Sequence, residues 1–259
     1  SMKIVAMKNV SILGCGWLGK PMAVSLFNDG FLVKGSTTSE IKIQELESLG
    51  IESYCIDITE FEEFDLFLAS DILLIAITLK DIDAYERFIE QIEISSIQKV
   101  IFISSTSVYP ASNSIVTEET ETMNTPLSEI ENLFKNNTFF ETTIIRFAGL
   151  FGPGRHPGSW FKNGKIIPQP NGFVNMIHQE DCINIIHEII DQNCWNTTFN
   201  ASSNDHPTRK DFYINARNSL NFEMPIFEEN SQLNYKIISS KKLQENLNYQ
   251  FIHDNLLEI

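Results

Sequence analysis

The groups best suited to chemistry fall in three short stretches. Gly14-Cys15-Gly16-Trp17-Leu18-Gly19 spaces glycines as Gly-x-Gly-x-x-Gly between an apolar run and a helical one. Ser104-Ser105-Thr106-Ser107-Val108-Tyr109-Pro110 gathers hydroxyls and a phenol behind the apolar run Lys99–Ile103. Gly152–Gly158 (GPGRHPG) carries Arg155, able to pair bidentately with a phosphate or carboxylate, and His156, able to exchange a proton near neutral pH.

The glycines have separate expected roles. Gly14 permits a tight turn, Gly16 lets backbone approach a pyrophosphate, and Gly19 lets a helix pack close to a sheet. The free N–H groups of the helix start, with Trp17 and Leu18 among them, then face the phosphates. Strand before and helix after are the context this motif requires, so the stretch reads as a dinucleotide site. Ile77 and Thr78, at the end of the run Asp71–Ile77, are assigned to the same cofactor. An NAD binder usually carries Asp or Glu about 20 residues beyond the motif. Here Gly35-Ser36-Thr37-Thr38-Ser39 has no carboxylate before Glu40. The hydroxyls of Ser36, Thr37 and Thr38 can donate to a 2′-phosphate that nothing repels, which favours NADP over NAD. Ser39 doubles as the expected cap of the next helix.

The elements that must position these groups follow from periodicity. Strands are expected at Val10–Leu13, Phe31–Lys34, Ser53–Ile56, Asp71–Ile77, Lys99–Ile103, Thr142–Arg146 and Thr197–Asn200. Helices are expected over Trp17–Asn28, Glu40–Leu49, Ala84–Ile92, Pro126–Phe134, Gln179–Ile190, Thr208–Arg217 and Ser240–Leu247, with loops at Pro110–Thr122 and Phe151–Gly172. Alternating strands and helices with continuously apolar strands predict an α/β fold, a doubly wound parallel (Rossmann) sheet with a small C-terminal substrate-binding lobe. The expected division is 9–150, with 175–200 returning to it, as the dinucleotide-binding domain, and 151–174 with 201–259 as the lobe. Trp160 and Phe161 are expected to fill the lobe's core, Arg146 to be buried and paired, and His178 to cap the helix that follows it. Glu118-Glu119, Glu228-Glu229 and Glu62-Glu63, the last on a short helix, read as solvated faces.

Ser104–Pro110 matches the Ser-Ser-x-x-Val-Tyr-Gly strand end of the extended short-chain dehydrogenase/reductases, with Pro110 in place of the last glycine. Asp57-Ile58 resembles that family's adenine-side Asp, Arg146–Gly154 its Leu-Arg…Tyr-Gly-Pro-Gly segment, and Asn175–Asp181 its Ile-His-Val-x-Asp element. The chain thus resembles the NAD(P)-dependent epimerase/dehydratase family over about residues 9–205. The resemblance implies a hydride-transferring cofactor and a small, anionic substrate such as a nucleotide sugar. It also implies Ser105, with Thr106, as the hydroxyl that polarises a substrate oxygen, and Tyr109, Arg155 and His156 as substrate contacts. The family's Tyr-x-x-x-Lys pair is missing: Met123 and Leu127 stand in those positions. An atypical branch of the family shares that loss and keeps a Gly-Pro-Gly-Arg-His-Pro-Gly segment. A cofactor-binding sensor without turnover is therefore a second reading. A third is a β-hydroxyacid dehydrogenase, which GCGWLGKPMA resembles but which requires an all-helical second half. A methyltransferase, the fourth, would want an acidic residue after the second strand.

Composition bounds the partners. With 19 Lys+Arg against 34 Asp+Glu, the net charge of −15 disfavours nucleic acid and anionic membranes. The four cysteines form no Cys-x-x-Cys pair and no zinc spacing, so no metal is expected. No apolar run reaches the roughly 20 residues of a membrane helix, and none reads as a signal peptide. Ser1-Met2 reads as a cloning remnant. These features predict a cytoplasmic protein with reduced thiols, acting on a small molecule, with a homodimer as the expected assembly.

Overall fold

The computed structural model describes residues 8–259; Ser1-Met2 lies outside them. In chain order the first elements are β1 (Asn9–Leu13), α1 (Gly19–Asn28), β2 (Leu32–Thr37), α2 (Ile43–Ser48), β3 (Glu52–Cys55), β4 (Ile72–Ile75), α3 (Ile82–Glu93) and β5 (Lys99–Ser105). There follow β6 (Ile115–Val116), α4 (Pro126–Lys135), β7 (Glu141–Phe147), β8 (Gly149–Phe151), β9 (Ile166–Ile167), β10 (Met176–His178) and α5 (Gln179–Asp191). The last are β11 (Thr198–Ala201), α6 (Arg209–Ser219), β12 (Ile226–Phe227), β13 (Ile237–Ile238) and α7 (Lys241–Leu247).

Seven strands form one sheet in the order β11-β7-β5-β4-β1-β2-β3, the doubly wound pattern expected. β1 pairs in parallel with both β2 and β4, and β4 with β5. The chain builds outward from β1 to β3, then crosses back to β4, so the strand order reverses between β1 and β4. Ligands of open α/β sheets bind outside the carboxyl ends at such a switch point.

By packing, the chain divides into two compact units. The first runs to Ser104 and adds Asn124–Ile145 and Ile189–Thr198. Its central strand β4 is apolar throughout, with Ile72, Leu73, Leu74 and Ile75 all buried, as suits a strand covered on both faces. Asp81 starts α3 by accepting from the Ala84 N–H at 3.0 Å, and that helix buries Tyr85, Phe88 and Ile92. α4 starts with a capping box, Thr125 and Ser128 exchanging hydrogen bonds, and Pro126 sits where no backbone donor is needed. Tyr85, Phe102, Phe134 and Phe140 stack edge-on or tilted into one aromatic cluster.

The second unit comprises Ser105–Met123, Arg146–Glu188 and Phe199–Ile259. Its core gathers Phe151, Ile167, Val174, Met176, Phe212, Tyr213 and Leu256, with Trp160 and Phe161 packed against it as expected. Buried Asp181 holds the C-terminal segment: its carboxylate accepts from the Tyr249 hydroxyl and from the backbone N–H groups of Ile252 (2.8 Å) and His253 (3.0 Å). Asp205 receives the Leu256 N–H at 2.9 Å.

Four expectations need correction. Segments 105–123 and 175–188 belong to the second unit, because β6 pairs with β13 and β10 with β8. Two-residue strands carry no periodicity that a sequence can display, so β6 and β9 lie inside stretches that read as loop. Glu62-Glu63 lies in irregular backbone rather than a helix, and the helix expected from Glu40 opens as a single 3-10 turn over Glu40–Lys42.

Candidate functional site

The glycine turn lies in the first unit, between β1 and α1. Gly14 has φ +94°, and a Cβ there would stand 2.6 Å from Ile77 Cγ2 and 2.9 Å from the Ala76 carbonyl oxygen. A Cβ on Gly19 would fall 1.9 Å from the Gly14 carbonyl oxygen, so only glycine lets α1 begin this close to β1. Gly16 differs. It is exposed, and a Cβ built on it meets nothing within 4 Å. The turn and the packing thus exclude side chains at Gly14 and Gly19, whereas Gly16 leaves bare backbone beside open space. That is the cradle a pyrophosphate needs. Trp17 is half-buried and Leu18 buried under the turn.

Of the residues assigned to the cofactor, Ser36 and Ile77 lie against the Gly14 turn. Ile77 packs at Gly14, while Thr78 is exposed. Ser36 is buried and its hydroxyl oxygen accepts from the Gly14 N–H at 2.9 Å, so it pins the turn. The Cys15 N–H donates to the Ser36 carbonyl at 2.8 Å, and burial pushes the Cys15 thiol up to about 12, leaving it inert. Thr37 is also buried; its hydroxyl oxygen accepts from the Ser39 N–H at 3.1 Å. Of the three hydroxyls assigned to a 2′-phosphate, only that of Thr38 is exposed. Ser39 occupies the cap position of the following turn, but its side chain makes no cap bond. Asp57 is exposed and accepts from both the hydroxyl and the N–H of Thr59, at 2.6 and 2.9 Å. Those bonds, the hydroxyl's first, hold its carboxyl below the usual range.

Also in the first unit, buried Glu131 of α4 accepts from the Ser104 hydroxyl and lies 3.7 Å from Lys135. Leu127 is buried on the same helix. No motif drew attention to Glu131, and only its place on the apolar stripe of α4 hints at burial.

The hydroxyl-rich turn opens the second unit. Ser105 ends β5 in extended conformation, and its hydroxyl oxygen accepts from the Ser107 N–H at 3.1 Å, capping a 3-10 turn over Thr106–Val108. The Ser105 proton remains available for donation. Thr106 is buried. Tyr109 is only 1% exposed. Its hydroxyl donates to Asn200 Oδ1 and accepts from the Arg146 guanidinium, each at 2.7 Å, and Arg146 lies over its ring. Burial raises the phenol's pKa despite the nearby arginine. The expected substrate contact at Tyr109 is therefore corrected to a structural lock, and Arg146 is the buried partner anticipated. Glu118 joins the same network by accepting from the Asn200 N–H at 2.8 Å, so it is no solvated face.

Arg155 is exposed on its loop, which Gly152 and Arg155 close by a pair of backbone hydrogen bonds. His156 is tied down: Nδ1 accepts from the Gly158 N–H at 3.0 Å and Nε2 lies 3.4 Å from the Ser219 hydroxyl. Burial lowers its pKa, and the bond from Gly158 makes it the cap of the 3-10 turn over Pro157–Ser159. Met123, at the family's tyrosine position, is 41% exposed and precedes α4. Lys236, which lies in no motif, and Asn175, first residue of the segment matched to the Ile-His-Val-x-Asp element, join this turn. Lys236 donates to the carbonyl oxygens of Thr106 and Tyr109, and Asn175 clamps the strand that carries it.

His178, Glu180 and His253 cluster with donor atoms within 4.8 Å. His178 Nδ1 accepts from the Glu180 N–H at 3.0 Å, capping α5 as expected and placing its proton on Nε2. Its ring stacks on His253 at 3.6 Å and 16°. Parallel rings direct their lone pairs along parallel planes, and a protonated Nε2 has none, so the cluster is not arranged as a metal centre.

With the geometry in hand, comparison with known proteins is informative. Residues 9–127 match the model for the NAD binding domain of 6-phosphogluconate dehydrogenase. Protein YeeZ of Escherichia coli (strain K12) is 30% identical over 264 residues, spanning 95% of this chain and 96% of that protein. The chain belongs to the YeeZ family. Solved structures align along nearly its whole length. A functionally unknown conserved protein from Silicibacter pomeroyi DSS has a TM-score of 0.82 at 20% identity, covering 97% of each chain. UDP-glucuronic acid 4-epimerase from Bacillus cereus, in complex with NAD, has a TM-score of 0.77 at 16% identity, covering 96% of this chain and 95% of that one. A short-chain dehydrogenase/reductase superfamily protein from Agrobacterium tumefaciens, with bound NAD, has a TM-score of 0.75 at 15% identity over 96% and 95%. This YeeZ-family chain therefore has an NAD-binding Rossmann domain and the epimerase/dehydratase fold that its motifs resemble. Beyond residue 127 it continues in mixed strands and helices, not the all-helical half of a β-hydroxyacid dehydrogenase. Among the described residues, no helix is long and apolar enough to cross a membrane.

Proposed function

We propose that the protein is an NAD(H)-dependent enzyme of the epimerase/dehydratase type acting on a small anionic substrate, such as a nucleotide sugar. The observation that carries this reading is the glycine turn: space is closed at Gly14 and Gly19 and open at Gly16. The backbone of Gly16, Trp17 and Leu18 would hold the pyrophosphate, Asp57 the adenine end, and Ile77 with Thr78 the switch-point edge. The nicotinamide, when bound, supplies the hydride chemistry. Ser105 donates its proton to a substrate oxygen and keeps its direction through the Ser107 N–H. Arg155 anchors an anionic group from its exposed loop. NAD(H) is preferred to NADP(H), because buried Ser36 and Thr37 leave Thr38 as the one exposed hydroxyl of that set, with no cationic side chain among residues 35–39.

A second reading, a cofactor-binding sensor without turnover, draws support from Met123 and Leu127 in the proton-transfer positions and from the sealed phenol of Tyr109. Incubation with NAD and a panel of nucleotide sugars, followed by mass spectrometry of the sugars, separates the two. Conversion of any panel member that is abolished in S105A supports the enzyme. Tight nucleotide binding with no conversion across the panel supports the sensor.

A further inference from the structure

We propose that Lys236 forms an oxyanion-binding point at the Ser105 turn, taking a phosphate or carboxylate group of the substrate. The ammonium is held where a lysine is costly. It is half-buried, and it donates to the carbonyl oxygens of Thr106 and Tyr109, both at 2.8 Å. An ammonium has three donors, and the two carbonyls use two of them. No carboxylate lies within ion-pair reach of it among the described residues, and burial alone lowers its pKa. Neutral carbonyls satisfy hydrogen bonds but do not neutralise a charge removed from water. Carbonyl partners and partial exposure leave one N–H and a net positive charge for an anion.

The surrounding backbone is built to keep the ammonium there. Asn113 and Tyr235 exchange hydrogen bonds just before Lys236, the Tyr235 N–H to Asn113 Oδ1 at 2.8 Å and the Asn113 N–H to the Tyr235 carbonyl at 2.8 Å. Asn175 clamps the other side, donating to the Lys236 carbonyl and accepting from the Ile238 N–H, each at 2.8 Å. The lysine thus enters from a strand fixed at both flanks, with few rotamers left to lose on binding. It joins both ends of the 3-10 turn that Ser105 caps, so charge and hydroxyl proton are offered by one rigid loop. This deepens the function proposed above and rests on it only for placing chemistry at Ser105; anion binding by Lys236 stands independently.

The test is site-resolved lysine acylation of the native protein with acetic anhydride, read by peptide mass spectrometry. It is run in sodium chloride, inorganic phosphate, glucuronate or UDP-glucuronate at matched ionic strength. Acylation of Lys236 should slow about fivefold at about four times the Kd of the bound anion, while Lys42 and Lys162 react unchanged. Phosphate and glucuronate alone report which group the ammonium takes. K236R should keep the anion's thermal stabilisation and K236M lose it, and NADH binding should be unchanged in both. Equal protection of all lysines, no protection by any anion, or a Lys236 that the reagent never reaches would each overturn the proposal. If NADH fails to bind the wild type while phosphate still protects Lys236, the cofactor reading fails and the anion site stands.

Discussion

The glycine turn of the first unit and the hydroxyl turn of the second are both strand ends rich in small or polar residues, yet they are built on opposite logic. Around Gly14–Gly19 function comes from what is missing: two positions exclude a side chain and a third leaves backbone bare. Around Ser105–Tyr109 it comes from what is tied down. The phenol, the threonine and the lysine are each held by named partners, and Ser105 keeps a donor to give. A cradle for a pyrophosphate needs only space and N–H groups, so it survives with generic residues. A reaction site needs particular groups, and here the usual proton-transfer pair is replaced by Met123 and Leu127.

Mutations that damage one unit should leave the other's readout alone. The largest effect is expected from D181A. Removing that buried carboxylate strands the Tyr249 hydroxyl and the N–H groups of Ile252 and His253. At about 1–3 kcal/mol per stranded group, urea unfolding should show a loss of about 3 kcal/mol or more. NADH affinity of the folded fraction should be unchanged, and a parallel loss of affinity would break the contrast between the units. Next, G19A and G16V should separate packing from binding. G19A forces a methyl against the Gly14 carbonyl and should cost about 1–3 kcal/mol in urea unfolding. G16V meets open space, so its melting temperature should hold while its Kd for NADH rises about tenfold or more, which is about 1.4 kcal/mol.

Smaller effects sharpen the second unit's side. Y109F removes one member of a sealed network and should cost about 1 kcal/mol of stability. Any turnover should keep its pH profile, because a buried phenol with a raised pKa exchanges no proton. The smallest effect is a pH dependence. Burial, then neighbouring His253, lower the pKa of His178 below its ordinary 6.5. The unfolded chain therefore takes up its proton first as pH falls, so stability is full above about 6.5 and declines from there down to the lowered folded value. Melting temperatures measured against pH should decline less steeply in H178Q.

Much of this arrangement was legible from residue pattern, and the reasons are local. β4 is a continuous apolar run and β1 and β5 are largely apolar, and Gly14 and Gly19 each meet a steric demand set by their nearest neighbours while Gly16 leaves open space. Ser105 was marked by its place at a strand end. What the sequence hid was set by distant partners. Tyr109 looked like a substrate contact because nothing near it announces Asn200 and Arg146. Ser36 and His156 looked free for ligands because their hydrogen bonds to Gly14 and Gly158 depend on how the chain turns. Lys236 lies in no motif, and its role appears only when β13 pairs with β6 and brings it to Thr106 and Tyr109.

The most direct test of the central claim is a titration of wild-type and G16V protein with NADH and NADPH, following nicotinamide fluorescence. The account predicts saturable binding of NADH to the wild type, weaker binding of NADPH, and loss of both in G16V at an unchanged melting temperature. Absence of binding up to about 1 mM, or equal affinity in the wild type and G16V, would contradict it.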